Sequence, residues 1–300
     1  MMNPEFRPMN PNDKHIYELM PILVGIGPHK DLLFYGSCFI ACPGMAITAK
    51  HNIEEIFKCD PDFARNKPSK ANYWLVQVKW DGDDHSYVVW TIDSVGLSAH
   101  SDIAIIWLRP WERNATQHKE WKVLPVTFDI PPIGATVRAF GYHDVCFDGS
   151  RFNNKKKLTH LEVNTQKSIS TGTIKQIYWQ MRERGKFSFP CFEVNARFKG
   201  GMSGGFVLNE KSEVCGIICG SGLPPNSPDE EDISYVTMLW PMMAIPVDPR
   251  LVQGGTDSSS YRLKDMSTQG VFTPKGWDRV LIKDQLDIGG PLTMSYQRIS

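Results

Sequence analysis

Apolar residues in this chain come in short runs, each closed off by glycine, proline or aspartate, and no run is long enough for a core helix or a membrane span. Tyr73–Trp80 and Ser86–Asp93 are the clearest: both are rich in β-branched and aromatic residues, and Asp81-Gly82-Asp83-Asp84 between them is a hairpin turn signal. Further strand candidates are Leu33–Ile40, Met45–Thr48, Ile103–Leu108, Thr136–Gly141, Ser168–Ile177, Cys191–Phe198, Phe206–Leu208, Val214–Cys219 and Ser234–Leu239. About a dozen short strands with this punctuation predict an all-β chain of antiparallel barrels or sandwiches. Helical periodicity is weak. His15–Val24 and Ile53–Lys58 are the better candidates, the second with Asn52 as its N-cap.

The 300 residues are 41% hydrophobic, enough for one or two compact units. Lys plus Arg and Asp plus Glu each number 33, a balance that argues against a nucleic-acid binder of the basic kind. Met1–Asp13 is polar and proline-bearing, without the leader pattern of a secreted protein, so a cytoplasmic location is expected. Seven cysteines at 38, 42, 59, 146, 191, 215 and 219 lack metal-type spacing, which predicts free thiols and no metal or other cofactor.

Three segments carry chemistry. In Gly200-Gly201-Met202-Ser203-Gly204-Gly205 a serine sits among four glycines just before an apolar strand. Serine is a weak nucleophile without an adjacent base, while the glycines let the backbone bend and aim N–H groups at one point. The G-x-S-x-G pattern also occurs in α/β-hydrolases, whose catalytic histidine follows the serine. Here the histidines are 15, 29, 51, 85, 100, 118, 143 and 160, all before Ser203, so that triad is impossible. The order His, Asp, Ser survives. Thr48-Ala49-Lys50-His51 ends a strand–turn–strand segment, and Ser101-Asp102 opens the apolar run Ile103–Leu108. A carboxylate at the mouth of a buried strand needs a partner, and an imidazole N–H suits it.

Together these segments resemble the trypsin-like, chymotrypsin-fold serine peptidase family. Thr48-Ala49-Lys50-His51 is similar to its T-A-x-H, Asp102-Ile103-Ala104-Ile105 to its D-[IL]-A-[LIV], and Gly201–Gly205 to its G-x-S-G-G. Ala139–Tyr142 resembles the strand opening the family's second barrel, and Val214–Ser221 the strand that pairs with substrate. The resemblance implies two six-stranded antiparallel β-barrels with the active site in the cleft between them. It places the peptidase domain at 20–246, with barrels over about 20–125 and 126–246. A 1–19 extension precedes it, and a 247–300 extension packs on the barrels.

It further implies a serine endopeptidase acting on protein or peptide substrates through an acyl-enzyme. Ser203 is the nucleophile, His51 the base and Asp102 its orienting partner; Gly201 and Ser203 N–H groups form the oxyanion hole. Cys219, Gly220 and Ser221 bind the substrate backbone. Arg197, six residues before the serine, stands near the family's pocket base and would favour an acidic side chain, whereas Asp229–Asp232 would attract basic ones. Met202 replaces the aspartate that receives a new N-terminus in secreted members, and Asn52 replaces their cysteine. Both departures bring the chain nearer the bacterial Deg/HtrA-like branch, but 247–300 is too short for a PDZ domain. The competing reading is a latent or silent protease-fold binding module that needs a partner. A narrow substrate choice or control by a regulatory protein partner is expected, with no nucleic acid and no membrane.

Overall fold

The computed structural model describes residues 4–9, 16, 18–27, 31–64, 73–81, 84–110, 121–152, 158–222, 232–247, 261–283 and 293–298. Strand β1 (Glu5–Pro8) comes first and joins the second of two sheets. The first sheet is built from β2 (Ile22–Ile26), β3 (Leu32–Ser37), β4 (Phe39–Cys42), β5 (Met45–Thr48), β6 (Tyr73–Asp81), β7 (Asp84–Leu97) and β8 (Ala104–Pro110). Its order is β3-β2-β6-β7-β8-β5-β4, and every pairing is antiparallel. The two edges, β3 and β4, are successive stretches of chain parted only by Cys38, so the sheet curls round onto itself.

The second sheet contains β9 (Thr136–Cys146), then, past the small hairpin β10 (Arg151–Phe152) and β11 (Leu158–His160), β12 (Asn164–Tyr178), β13 (Cys191–Val194), β14 (Phe206–Leu208), β15 (Val214–Ser221) and β16 (Ser234–Thr237). Their order is β12-β13-β16-β15-β14-β9, and β9 pairs back onto β12, which closes a six-stranded barrel. β1 lies along the other edge of β12, Phe6 opposite Ser170. Two curled antiparallel sheets, one of them closed, make the chymotrypsin-like double barrel.

Strand periodicity explains why the first-barrel runs are apolar throughout rather than alternating. Ile22, Val24, Trp74 and Val76 face one core, and Leu23, Tyr73 and Leu75 between them face another. Side chains on successive residues point to opposite faces, and both faces are covered. The barrels meet through aromatics. Phe39 of β4 packs edge-on to Phe206 of β14 (6.0 Å, 71°), and Phe206 stacks on Phe140 of β9 (5.0 Å, 27°). All three are at most 1% exposed.

Helix α1 (Lys50–Cys59) follows β5, burying Ile53 and Ile56 while Lys50 and Glu54 pair one turn apart at 3.5 Å. It starts earlier than expected: Ala49 is its N-cap, without a side-chain bond, and Asn52 lies inside the first turn. Helix α2 (Pro61–Ala64) adds one more turn after α1. The helix expected over His15–Val24 gives way to β2 from Ile22. Pro21 ends a helix, and the β-branched segment beyond it pairs with both β3 and β6.

After the second barrel, helix α3 (Leu263–Thr268) and the pair β17 (Val280–Lys283) and β18 (Thr293–Tyr296) lie against the body. Leu263 N–H donates to Ile245 O (3.0 Å), Lys275 N–H to Val126 O (2.9 Å), and Arg279 pairs with Asp129. Among the described residues, no helix is long and apolar enough to cross a membrane. All seven cysteines are free thiols.

Candidate active site

His51 is placed by the junction of a strand with a helix. β5 ends at Thr48, Ala49 is extended, and the helix begins at Lys50, so His51 sits in the first turn, where N–H groups lack helical partners. Asp102 supplies them from the loop before β8. Lys50 N–H donates to the Asp102 carbonyl (3.3 Å), His51 N–H to Asp102 Oδ1 (3.0 Å), and His51 Nδ1 meets Asp102 Oδ2 at 2.8 Å. The carboxylate thus holds the first-turn N–H with one oxygen and the imidazole with the other. Asp102 is 13% exposed at its side chain and His51 40%. Burial pulls the His51 pKa down, but the Asp102 bond and charge, with Glu54 and Glu55 beyond, outweigh it and hold the imidazole above the ordinary histidine value.

Ser203 sits in a glycine-dependent bend leading into β14. Gly204 N–H donates to Ile218 O and Ile218 N–H to Gly205 O, both at 2.8 Å, which ties the bend to β15. Gly204 has φ +83°, and a Cβ there would lie 2.2 Å from Ser37 O. Gly201 has φ +93° at the third position of a turn closed by Met202 N–H to Lys199 O (3.1 Å), the sign a type II turn requires. Among the described residues, no backbone carbonyl takes the N–H of Gly201 or of Ser203.

The three segments converge. His51 and Asp102 from the first barrel, and Ser203, Cys219, Gly220 and Ser221 from the second, line one cleft of about 490 Å³. Arg197 does not line it. Ala196 and Phe198 are buried, Arg197 between them points outward, and its guanidinium lies 5.9 Å over the ring of Phe6. Two cations that the sequence reading missed, Lys186 and Lys199, stand in the cleft instead. Lys186 Nζ reaches Ser221 O at 3.5 Å. Residues 223–231, most of the acidic segment weighed against Arg197, lie outside the described residues.

Position 202 is filled by packing. Met202 is fully buried, and a Cβ on Gly141 would come within 2.7 Å of its Cβ. Two buried polar residues frame the bend from the first barrel. Asn52 Nδ2 donates to Ser203 O and to Thr48 Oγ1, each at 3.0 Å. The Ser37 hydroxyl donates to Gly201 O at 3.0 Å. Their signal in sequence was faint: Asn52 stood out as a replacement for cysteine, and Ser37 did not stand out.

A second contact chain has triad-like geometry without triad access. His143 Nδ1 meets Asp144 Oδ2 and His143 Nε2 meets Ser168 Oγ, both at 2.8 Å. Ser168 is 2% exposed, on β12 between β1 and β9, and does not line the cleft. Among the described residues, no group of three His, Cys, Asp or Glu side chains could hold a metal ion.

Comparison with known proteins agrees with this geometry at the family level. A family model described as the trypsin-like peptidase domain matches residues 36–217, a span holding His51, Asp102 and Ser203. No curated protein matches the chain. Similar solved structures include Rv3671c from M. tuberculosis H37Rv as its inactive Ser343Ala mutant, at 14% identity over 77% of this chain and 89% of that one, with a TM-score of 0.43. The active form of the Rv3671c protease from M. tuberculosis aligns at 14% identity over 77% and 82%, with a TM-score of 0.42. The family match covers more than half of the chain, which therefore belongs to the trypsin-like peptidase family.

Proposed function

We propose that the protein is a serine endopeptidase that cleaves peptide bonds through His51, Asp102 and Ser203. The observation that carries the reading is the His51–Asp102 pair, at 2.8 Å, in the same cleft as Ser203. Ser203 Oγ attacks the scissile carbonyl as His51 Nε2 takes its proton, giving a tetrahedral intermediate. Asp102 holds Nδ1 in the protonated tautomer and stabilises the imidazolium. The Gly201 and Ser203 N–H groups receive the oxyanion, each worth about 3 kcal/mol of barrier lowering. Collapse expels the amine with the proton from His51 and leaves an acyl-enzyme on Ser203. Water, activated by the same imidazole, then releases the acid. The substrate main chain lies along Cys219–Ser221 as an added strand.

The test is labelling by a fluorophosphonate probe, which phosphonylates an activated serine. Labelling of the wild type, lost in Ser203→Ala and in His51→Ala, is the expected result. A folded wild type that stays unlabelled would overturn the reading in favour of a latent or silent protease-fold module.

A further inference from the structure

Ser37, the last residue of β3, is fully buried at the seam between the barrels. Each of its polar groups is engaged. Its N–H donates to Ser203 O at 2.9 Å. Its hydroxyl donates to Gly201 O at 3.0 Å and accepts the N–H of Tyr142, on β9 of the other barrel, at 2.9 Å. Its carbonyl accepts the Thr48 hydroxyl at 2.8 Å, one turn of chain before His51.

Gly201 O and Ser203 O lie on either side of the peptide that carries the Ser203 N–H. That peptide's own carbonyl, Met202 O, takes the Gly205 N–H at 2.9 Å. Three successive planar peptides are therefore held by their oxygens, two of them by Ser37. With these held, the direction of the Ser203 N–H and the root of the Ser203 side chain have little freedom. Met202 offers no charge that could hold the bend by an ion pair, and it contributes packing against Gly141.

We propose that Ser37 is the positioning residue of the oxyanion turn: its amide and hydroxyl hold the Gly201–Ser203 segment in its productive shape. The proposal rests on the triad reading above. An alanine at 37 removes the hydroxyl that holds Gly201 O and joins it to Tyr142 N–H across a buried seam, so the turn is free to shift by a fraction of an ångström or more. A cysteine keeps the approximate volume but donates and accepts weakly.

The experiment measures the second-order rate of fluorophosphonate labelling across pH for the full-length wild type, Ser37→Ala, Ser37→Cys and Ser203→Ala, with thermal melting of each. The expected result is that folded Ser37→Ala labels about 10- to 100-fold more slowly, the loss expected when a reacting group is misplaced by about an ångström. Ser37→Cys falls between it and the wild type. The midpoint of the pH profile stays with the wild type, because His51 and Asp102 are untouched; a purely structural role would lower the melting temperature without slowing labelling of the folded protein. Should Ser37→Ala not fold, Ser37→Cys decides on the same rate and midpoint. Labelling of a folded Ser37 variant within twofold of wild type, or a midpoint that moves with the rate, overturns the proposal. A wild type that labels no faster than Ser203→Ala overturns the triad reading itself, and the two failures differ in which protein shows them.

Discussion

Asn52 Nδ2 donates to the carbonyl of Ser203 at 3.0 Å, and so joins the helix that bears His51 to the bend that bears Ser203. The same amide reaches Thr48 Oγ1, and the residue is 3% exposed. Asn52→Ala removes two buried hydrogen bonds, although Ser203 O keeps the Ser37 N–H and Thr48 keeps Ser37 O. Loss of unfolding free energy by about 1–3 kcal/mol is expected, read by urea denaturation of the folded chain. A variant as stable as wild type would show that the contact holds nothing.

In the proposed mechanism the His51 pKa sets how activity depends on pH. In that mechanism the imidazole must be neutral to accept the Ser203 proton, and Asp102 holds its pKa above the ordinary value of about 6.5. Labelling by the fluorophosphonate should therefore rise with pH to a midpoint above that value. Asp102→Asn should move the midpoint down and cost about 10⁴-fold in rate. The same shift makes His51 a stabilising group when charged. Its contribution is complete below the unfolded pKa and is lost as pH rises through the folded one. Melting temperatures of wild type and Asp102→Asn should accordingly converge at alkaline pH and part on the acidic side.

Glycine at 204 is required by both φ and space. Gly134 has nearly the same φ, +87°, but no atom within 4 Å of a Cβ, whereas at Gly204 the Cβ would meet backbone at 2.2 Å. Gly134→Ala should cost about 1 kcal/mol from the dihedral alone. Gly204→Ala should cost clearly more and abolish labelling, because Ser37 O or the bend must move. Equal losses in the two variants, measured by denaturant unfolding, would contradict this account.

The second-barrel wall of the cleft carries Lys186 and Lys199 and, among the described residues, no acid. Peptides with Asp or Glu near the scissile bond should be cleaved faster than their Lys counterparts. Lys186→Glu should reverse that preference by about two- to fivefold in kcat/KM, the range of an exposed charge contact, and added salt should shrink it. A peptide library profile unchanged by Lys186→Glu would remove this residue from substrate selection.

Much of the molecule was legible from residue pattern. The short β-branched runs correspond to strands in both sheets, and β6 and β7 pair as an antiparallel hairpin in which Asp81 and Asp84 stand opposite each other, while Gly82 and Asp83 of the expected turn lie outside the described residues. The order His51, Asp102, Ser203 excluded one hydrolase architecture and pointed to another, since chain order survives folding. Ile22–Val24 reads as helix in sequence because a short, buried strand has no alternation to reveal it.

What pattern could not supply lies in contacts between residues far apart in the chain. Arg197 occupies the expected position before the serine, yet its exposed side chain lies over the ring of Phe6, and Lys186 enters the cleft from another segment. His143, Asp144 and Ser168 form the geometry of a triad where burial denies a substrate entry. Ser37 and Asn52 meet the Gly201–Ser203 bend across 164 and 151 residues of sequence. Local composition sets which backbone conformations are open to each segment. Which hydroxyl or amide satisfies a given buried carbonyl is decided only when the two barrels close on each other, because only then is water gone from the seam.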